Sequence, residues 1–153
     1  MTTKTIQEKL NIIQNYLKSG NPEKALRLLG EETHQPELEN ARGVCLLRLN
    51  RIDSALEIFK EIVFQHCICI ASTTPSLYKA NYMTALLLKG STSMAMELDG
   101  TLNDTDNIHP YVVELKQLIR NFKYTLPWYQ RILCYVGVYP NKSLTLPFEP
   151  GGI

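Results

Sequence analysis

The segment His66-Cys67-Ile68-Cys69 places an imidazole and two thiols within four residues, and these are side chains that bind zinc. A closed tetrahedral site needs four ligands, usually including a second pair of residues. The remaining candidates occur singly along the chain: His34, Cys45, His109 and Cys134. On a helix, Cys67 and Cys69 would also point to different faces. We therefore predict no metal site and interpret the cysteines as small, buried apolar side chains.

Catalytic motifs do not occur in this sequence. It contains no glycine-rich phosphate loop, no nucleophile elbow and no zinc-protease helix motif. The three histidines lie far apart, and Gly151-Gly152 stands at the end of the sequence, where it cannot open a helix. We therefore expect no catalytic residues and no cofactor, and we predict that the protein is not an enzyme.

Composition excludes several kinds of partner. The 153 residues are 44% apolar and 20% charged, with a net charge of +1, as in an ordinary folded domain or short repeat array. No basic stretch is dense enough to follow a phosphate backbone, so nucleic acid is not expected as a partner. The first 20 residues lack the apolar core of a signal peptide, and no apolar run approaches the roughly 20 residues that span a bilayer. We expect a cytoplasmic location.

A membrane surface is a rival partner for the segment from Trp128 to Tyr139. Trp and Tyr favour the headgroup region of a bilayer. A helix that lies in that region normally has a basic polar face, however, and Arg131 is the single basic residue of this segment. We therefore expect no membrane partner.

The elements that must position any functional side chain are short helices in an internal repeat. Residues Asn11–Gly30 align with Ala41–Lys60, and a weaker copy covers Asn81–Gly100. Each copy has an apolar helix, a polar break and a second helix that soon reaches an alanine, at Ala25, Ala55 and Ala95. These alanines are separated by 30 and then 40 residues. Repeated helix pairs at such a period are typical of an α-solenoid.

The stretch from Pro36 to about Cys67 resembles a tetratricopeptide repeat. That family has a small residue on its first helix, alanine early in its second helix and a large apolar residue one turn later, here Gly43, Ala55 and Phe59. Small residues are needed because the two helices cross closely. The other copies depart from the pattern, since Ile13 and Met83 replace the small residue and Asp99 replaces the last apolar one.

This resemblance covers about 100 of the 153 residues and implies an all-α fold. The expected architecture is a right-handed helix-turn-helix solenoid of about three repeats over residues 1–125, followed by C-terminal capping helices and an extended tail in residues 126–153. The extra residues between the second and third copies are apolar, so we expect them to lengthen a helix past Ile62.

Tetratricopeptide arrays bind peptides in a concave groove lined mainly by the first helix of each pair. By register, the resemblance assigns to this groove Gln7, Leu10, Asn11, Gln14, Glu37, Asn40, Val44, Leu47, Leu77, Ala80, Asn81, Thr84 and Leu87. The basic residues with which some members clamp a terminal carboxylate are missing. Asn and Gln would bond a peptide backbone, and Leu and Val would hold its side chains. Alternatively, the apolar members pack against neighbouring helices.

The last residues differ from the rest. We expect a short helix from Trp128 to Tyr135 that buries Trp128, Ile132 and Tyr135 against the last repeat and ends at Gly137. The following prolines prevent a helix, and an alternating pattern predicts an extended strand-like segment with one apolar side formed by Leu144, Leu146 and Phe148. Our hypothesis is that this segment folds back along the array, or enters a second copy.

These observations predict a non-catalytic adaptor that binds a peptide or protein segment in the concave groove. The alternative is a self-associating structural protein whose tail completes a homodimer. Docking of the tail in the groove of its own chain and its exchange between two copies would use the same contacts.

Overall fold

A computed structural model of the chain describes residues 3–30, 35–64, 70, 73–102, 109–140 and 142–153. Within these residues the chain forms eight α-helices and one 3₁₀ turn, and it contains no strand. The all-α prediction is therefore confirmed. The helices are α1 (Thr3–Lys18), α2 (Pro22–Leu29), α3 (Pro36–Arg48), α4 (Ile52–Phe64), α5 (Ser76–Leu88), α6 (Thr92–Leu98), α7 (Pro110–Thr125) and α8 (Trp128–Tyr135), with the 3₁₀ turn at Asp99–Thr101.

Prolines determine where several helices begin. Pro22, Pro36 and Pro110 are the first residues of α2, α3 and α7. A proline is favourable there because its fixed φ suits a helix and because its missing N–H would have had no intrahelical acceptor. These residues therefore set the register of the three helices.

Three helix pairs, α1–α2, α3–α4 and α5–α6, are joined by the same turn. In each, one residue has a positive φ: 69° at Gly20, 57° at Asn50 and 83° at Gly90. The next N–H then donates to a carbonyl five residues earlier, at 2.9 Å from Asn21 to Tyr16, 2.8 Å from Arg51 to Leu46 and 2.9 Å from Ser91 to Leu86. This is the Schellman helix end, which satisfies carbonyls that the helix leaves free. The three turns recur at the 30- and 40-residue spacing of the sequence repeat.

The helices pack in chain order around one core. Besides each pair, α2 contacts α3, α4 contacts α5, and α1, α3, α5 and α7 contact one another in succession. The three repeat alanines are buried completely, at Ala25, Ala55 and Ala95. Gly43 on α3 faces the ring of Phe59 on α4, and a Cβ at this glycine would lie 2.6 Å from two of the ring carbons. The close crossing of α3 and α4 thus depends on the absence of a side chain at residue 43.

The third repeat departs from the first two where its sequence does. Asp99 stands at the position of Leu29 and Phe59; helix α6 ends before it, and its carboxylate pairs with Lys123 of α7 at 2.7 Å. The Asp99 side chain is only 23% exposed, and the ammonium of Lys123 from α7 compensates its charge. The apolar insertion after Ile62 lengthens α4 only as far as Phe64 among the described residues, and residues 65–69, 71 and 72 lie outside them.

Helix α8 has the predicted bounds but not the predicted packing. Trp128, Ile132 and Tyr135 are 72%, 55% and 90% exposed, so the expectation that they are buried against the last repeat is wrong. Leu126 and Pro127 between α7 and α8 are extended, and Leu126 itself takes the buried position. The aromatic face of α8 is therefore available at the surface.

We expect Gly43→Val to destabilise the fold by about 3 kcal/mol, because the fully buried Phe59 ring has no space into which it can move. The matched control is Gly100→Val, where an added Cβ would meet nothing within 4 Å. Urea unfolding followed by circular dichroism measures both. An equal loss of stability in the two variants would contradict the close approach of α3 and α4.

Candidate binding site for an extended segment

Residues 142–153, here called the tail segment, lie against the core without helix or strand, and the chain bends at Pro147, Phe148 and Pro150. Leu144, Leu146 and Phe148 are partly buried and pack on it, whereas Thr145 and Pro147 between them are exposed. This alternation follows from extended geometry, in which successive side chains point to opposite sides. The apolar residues of the tail segment therefore dock within the same chain.

The two glycines of the tail segment occupy its most enclosed position. Both Gly151 and Gly152 are buried, between Val44 of α3, Leu77 of α5 and Tyr111 of α7. We call the side chains around them the tail site: Asn40, Val44, Arg48, Leu77, Asn81, His109 and Tyr111. They come from α3, α5 and the start of α7, three helices that contact one another in succession.

The side-chain amide of Asn81 pairs with the peptide group of Gly152. Asn81 Nδ2 donates to the Gly152 carbonyl at 2.8 Å, and the Gly152 N–H donates to Asn81 Oδ1 at 2.9 Å. The second Nδ2 proton reaches Oδ1 of Asn40 at 2.8 Å, and Asn40 Nδ2 makes a longer bond of 3.4 Å to the same Gly152 carbonyl. Asn81 is fully buried, so each of these polar atoms needs its partner. A side chain thus replaces the neighbouring strand that an extended peptide otherwise pairs with.

Arg48 binds the preceding residues of the tail segment. Its Nε donates to the Pro150 carbonyl at 3.3 Å, and Nη1 donates both to the Leu17 carbonyl at 3.3 Å and to the Glu149 carboxylate. The Glu149 side chain is 74% exposed, so its ion pair contributes little stability in water. The bond to the Pro150 carbonyl adds a second backbone contact one turn of α3 away from Val44.

Tyr111 closes the site from α7. Its ring packs edge-to-face on Phe148, with ring centres 5.6 Å apart, and its hydroxyl lies 2.6 Å from Thr84 Oγ1. Burial raises the pKa of the Tyr111 phenol, and hydrogen bonds with Thr84 and with the Gly151 backbone oppose this shift. His109 fixes the start of α7, since its Nδ1 accepts from the Tyr111 N–H at 3.2 Å. Because its pKa is raised, the Tyr111 phenol stays neutral in the folded protein.

The predicted groove residues fall into three groups. Asn40, Val44, Leu77 and Asn81 contact the tail segment, and Thr84 reaches it through Tyr111. Gln14 lines a cavity of about 260 Å³ beside Tyr111 and Phe148. The remainder belong to the core or to the surface: Leu47, Ala80 and Leu87 are buried, Leu10 packs on the core, and Gln7, Asn11 and Glu37 are exposed.

Arg48, Tyr111 and the two tail glycines are site residues that sequence reasoning missed. Arg48 follows Asn40 and Val44 at steps of four, so it continues their helical face and could have been found by extending the register. Tyr111 lies beyond the aligned repeats, and a glycine carries no side-chain signal. Their roles depend on contacts between distant parts of the chain: Arg48 bonds Pro150 across 102 residues, and Asn81 bonds Gly152 across 71.

The candidate metal ligands do not converge within the described residues. No group of three or more His, Cys, Asp or Glu side chains there could hold a metal ion. Cys45 is buried, and burial raises the pKa of its thiol to about 12. His34, His66, Cys67 and Cys69 lie outside the described residues.

No family model, curated protein or solved structure matches this chain. Among the described residues, no helix is sufficiently long and apolar to pass through a bilayer.

Substituting Asn81 tests the tail site directly. We expect Asn81→Ala to lower the free energy of unfolding by about 2–3 kcal/mol, because it leaves the Gly152 peptide group and Asn40 without their buried partner. Asn11→Ala, at an exposed position on α1, is the control and should change stability by less than about 0.5 kcal/mol. Urea unfolding measures both, and equal effects would exclude a special role for Asn81.

Tyr111 gives a prediction for alkaline pH. Its pKa is raised in the folded state, so above the ordinary value of 10.0 the unfolded chain loses this proton first. The stability that Tyr111 contributes is therefore complete below about pH 10 and declines as the pH rises further. We expect Tyr111→Phe to be less stable than wild type by about 1 kcal/mol at neutral pH, through loss of the bond to Thr84.

This difference in the free energy of unfolding should shrink as the pH rises above about 10, because phenylalanine has no proton to lose. Urea titrations of wild type and variant at each pH measure it. A difference that stays constant would contradict a buried, neutral Tyr111.

Proposed function

We propose that this protein is a non-catalytic interaction module that binds an extended segment of a protein partner. In this proposal its three helix pairs form a right-handed, tetratricopeptide-like solenoid, and the tail site is part of its concave groove. The tail segment is then an internal ligand that a partner segment displaces.

The pairing of the Asn81 amide with the Gly152 peptide group carries this proposal. A side-chain amide that bonds both the N–H and the carbonyl of one residue recognises backbone, and it can hold a segment that fits between α3, α5 and α7. Arg48 adds a further backbone contact at the Pro150 carbonyl. Peptide binding is supported by the donors of the site, because Asn40, Arg48 and Asn81 each donate to a backbone carbonyl of the tail segment.

The repetition of the helix pairs supports the solenoid. The same Schellman end occurs at Gly20, Asn50 and Gly90, and the first helices of the pairs contact one another in succession. In a solenoid, those first helices line one continuous face. Asn40 and Asn81 both belong to such helices.

Binding in trans tests the proposal. A labelled peptide with the sequence of residues 142–153 should bind the full chain that carries Gly152→Leu, because a Cβ at residue 152 would lie within 3.0 Å of Tyr111, His109 and Leu77 and so expels the internal segment. The native chain should bind the peptide about 10- to 100-fold more weakly, since its site is occupied. Fluorescence anisotropy measures both affinities.

Adding Asn81→Ala to the Gly152→Leu chain is the control and should abolish binding. Circular dichroism verifies that each variant is folded, and Gly152→Ala replaces Gly152→Leu if the larger side chain prevents folding. A folded, tail-released chain that fails to bind the peptide would refute the proposed function.

Self-association is a second candidate function, and the exposed face of α8 favours it. Large apolar side chains there are in contact with solvent, including Trp128, Tyr129, Ile132, Tyr135 and Val136. Exposed apolar patches often mark interfaces. The adjoining cleft is lined by Lys116, Arg120, Lys123 and Arg131, of which Lys123 pairs with Asp99 in the same cleft. The net positive charge that remains there opposes a symmetric contact that brings two such clefts together.

Light scattering coupled to size-exclusion chromatography distinguishes the two functions. The interaction module is expected to be monomeric, with no change of mass in Ile132→Ser. A dimer that Ile132→Ser dissociates would favour self-association through α8, whereas a dimer that Asn81→Ala dissociates would favour exchange of the tail segment.

A further inference from the structure

The tail site has no space for side chains at two consecutive ligand positions. Most of the hydrogen bonds to the tail segment involve its backbone and would accept many sequences. Gly151 and Gly152 are different, because the walls around them lie at the distance of a Cβ atom. This feature determines which partner segments the site can accept.

At residue 151 both conformation and space require glycine. Its φ is +87°, in a region that residues with a Cβ rarely adopt, and a Cβ would lie 2.8 and 2.9 Å from the two methyl carbons of Val44. Val44 is fully buried and β-branched, so it has little freedom to move away. An alanine here would be strained in two independent ways.

At residue 152 the limit comes from space alone. A Cβ there would lie 2.9 Å from Tyr111 Cβ, 3.0 Å from His109 Cε1 and 3.0 Å from Leu77 Cδ1. Tyr111 Cβ is fixed by the first turn of α7, which His109 caps. The bonds between Asn81 and the Gly152 peptide group prevent the ligand from shifting outward without losing them.

The site restricts the side chains at positions 148–150 of the ligand less strictly. Phe148 fits by its ring against Tyr111, and Pro150 presents its carbonyl to Arg48. The contact between Glu149 and Arg48 is a largely exposed ion pair, which adds little affinity. Selectivity therefore comes from the two glycines first, from the aromatic residue next and from the acidic residue least.

We propose that the tail site selects partner segments of the pattern aromatic–acidic–Pro–Gly–Gly, and that the tail segment, which has this pattern itself, occupies the site until such a segment displaces it. This inference rests on the proposed function, because it names the class of ligand for the same site. Because the tail segment occupies the site, a partner segment must carry both glycines and reach a concentration at which it outcompetes the tail segment.

Peptide variants test the selectivity in the anisotropy assay with the folded Gly152→Leu chain. The parent probe has the sequence of residues 142–153, and its three variants carry Gly151→Ala, Gly152→Ala or Thr145→Ala. We expect each glycine variant to bind at least ~10-fold more weakly than the parent, through overpacking in a rigid site. Thr145 is exposed, so the Thr145→Ala peptide should bind within about twofold of the parent.

The same substitutions in the full chain give a second readout that does not depend on the tail-released variant. Gly151→Ala should raise the affinity of the native chain for the parent peptide, because it weakens the internal competitor, whereas Thr145→Ala should leave it unchanged.

The outcomes separate the two claims. If the parent peptide binds and all three variants bind equally well, the selectivity is refuted and the proposed function stands. If the parent does not bind to the folded chain, both fail. If both glycine variants lose binding and the Thr145→Ala peptide does not, the selectivity is established.

Discussion

Backbone polar groups removed from water must find hydrogen-bond partners, and in this protein the buried N–H and carbonyl of Gly152 both find theirs in one side chain. Asn81 Oδ1 accepts from the Gly152 N–H, and Asn81 Nδ2 donates one proton to the Gly152 carbonyl and the other to Asn40 Oδ1. Without this amide pair the tail segment would carry unpaired polar atoms into a buried site between three helices, at a cost that its apolar side chains would have to offset. The position of the tail segment, and the proposed use of the site by a partner, both depend on this pairing.

The helical frame depends on a different constraint, the close approach of paired helices. Gly43 lets α3 reach the ring of Phe59, and Ala25, Ala55 and Ala95 are buried completely at the equivalent place in each pair. The Schellman turns at Gly20, Asn50 and Gly90 then return the chain at the same point of each repeat. Together they hold Asn40 and Asn81 on neighbouring helices with their amide groups in contact, so the recognition of a peptide group follows from local rules of helix packing and helix termination.

The helices and half of the tail site were predictable because they rest on local signals. Proline at the first helical position, the repeated alanine and the alternation of Leu144, Leu146 and Phe148 are read from a few neighbouring residues. The sequence placed Asn40, Val44, Leu77 and Asn81 at the site through their positions in the tetratricopeptide-like alignment. Tyr111, Arg48 and Gly152 did not, because their roles arise from contacts between distant segments. The packing of α8 was wrongly predicted for a related reason: apolar spacing identifies a face, but the extended Leu126 and Pro127 decide where that face points.

Amide hydrogen exchange at Gly152, resolved by NMR in the native full-length chain, tests the central claim most directly. The account predicts that this N–H exchanges slowly, because it is buried and donates to Asn81 Oδ1, and that Asn81→Ala removes most of this protection while helices α3 and α4 keep theirs. Exchange of the Gly152 amide as fast as in an unstructured peptide, in the wild-type chain, would contradict the docking of the tail segment and the peptide-binding site inferred from it.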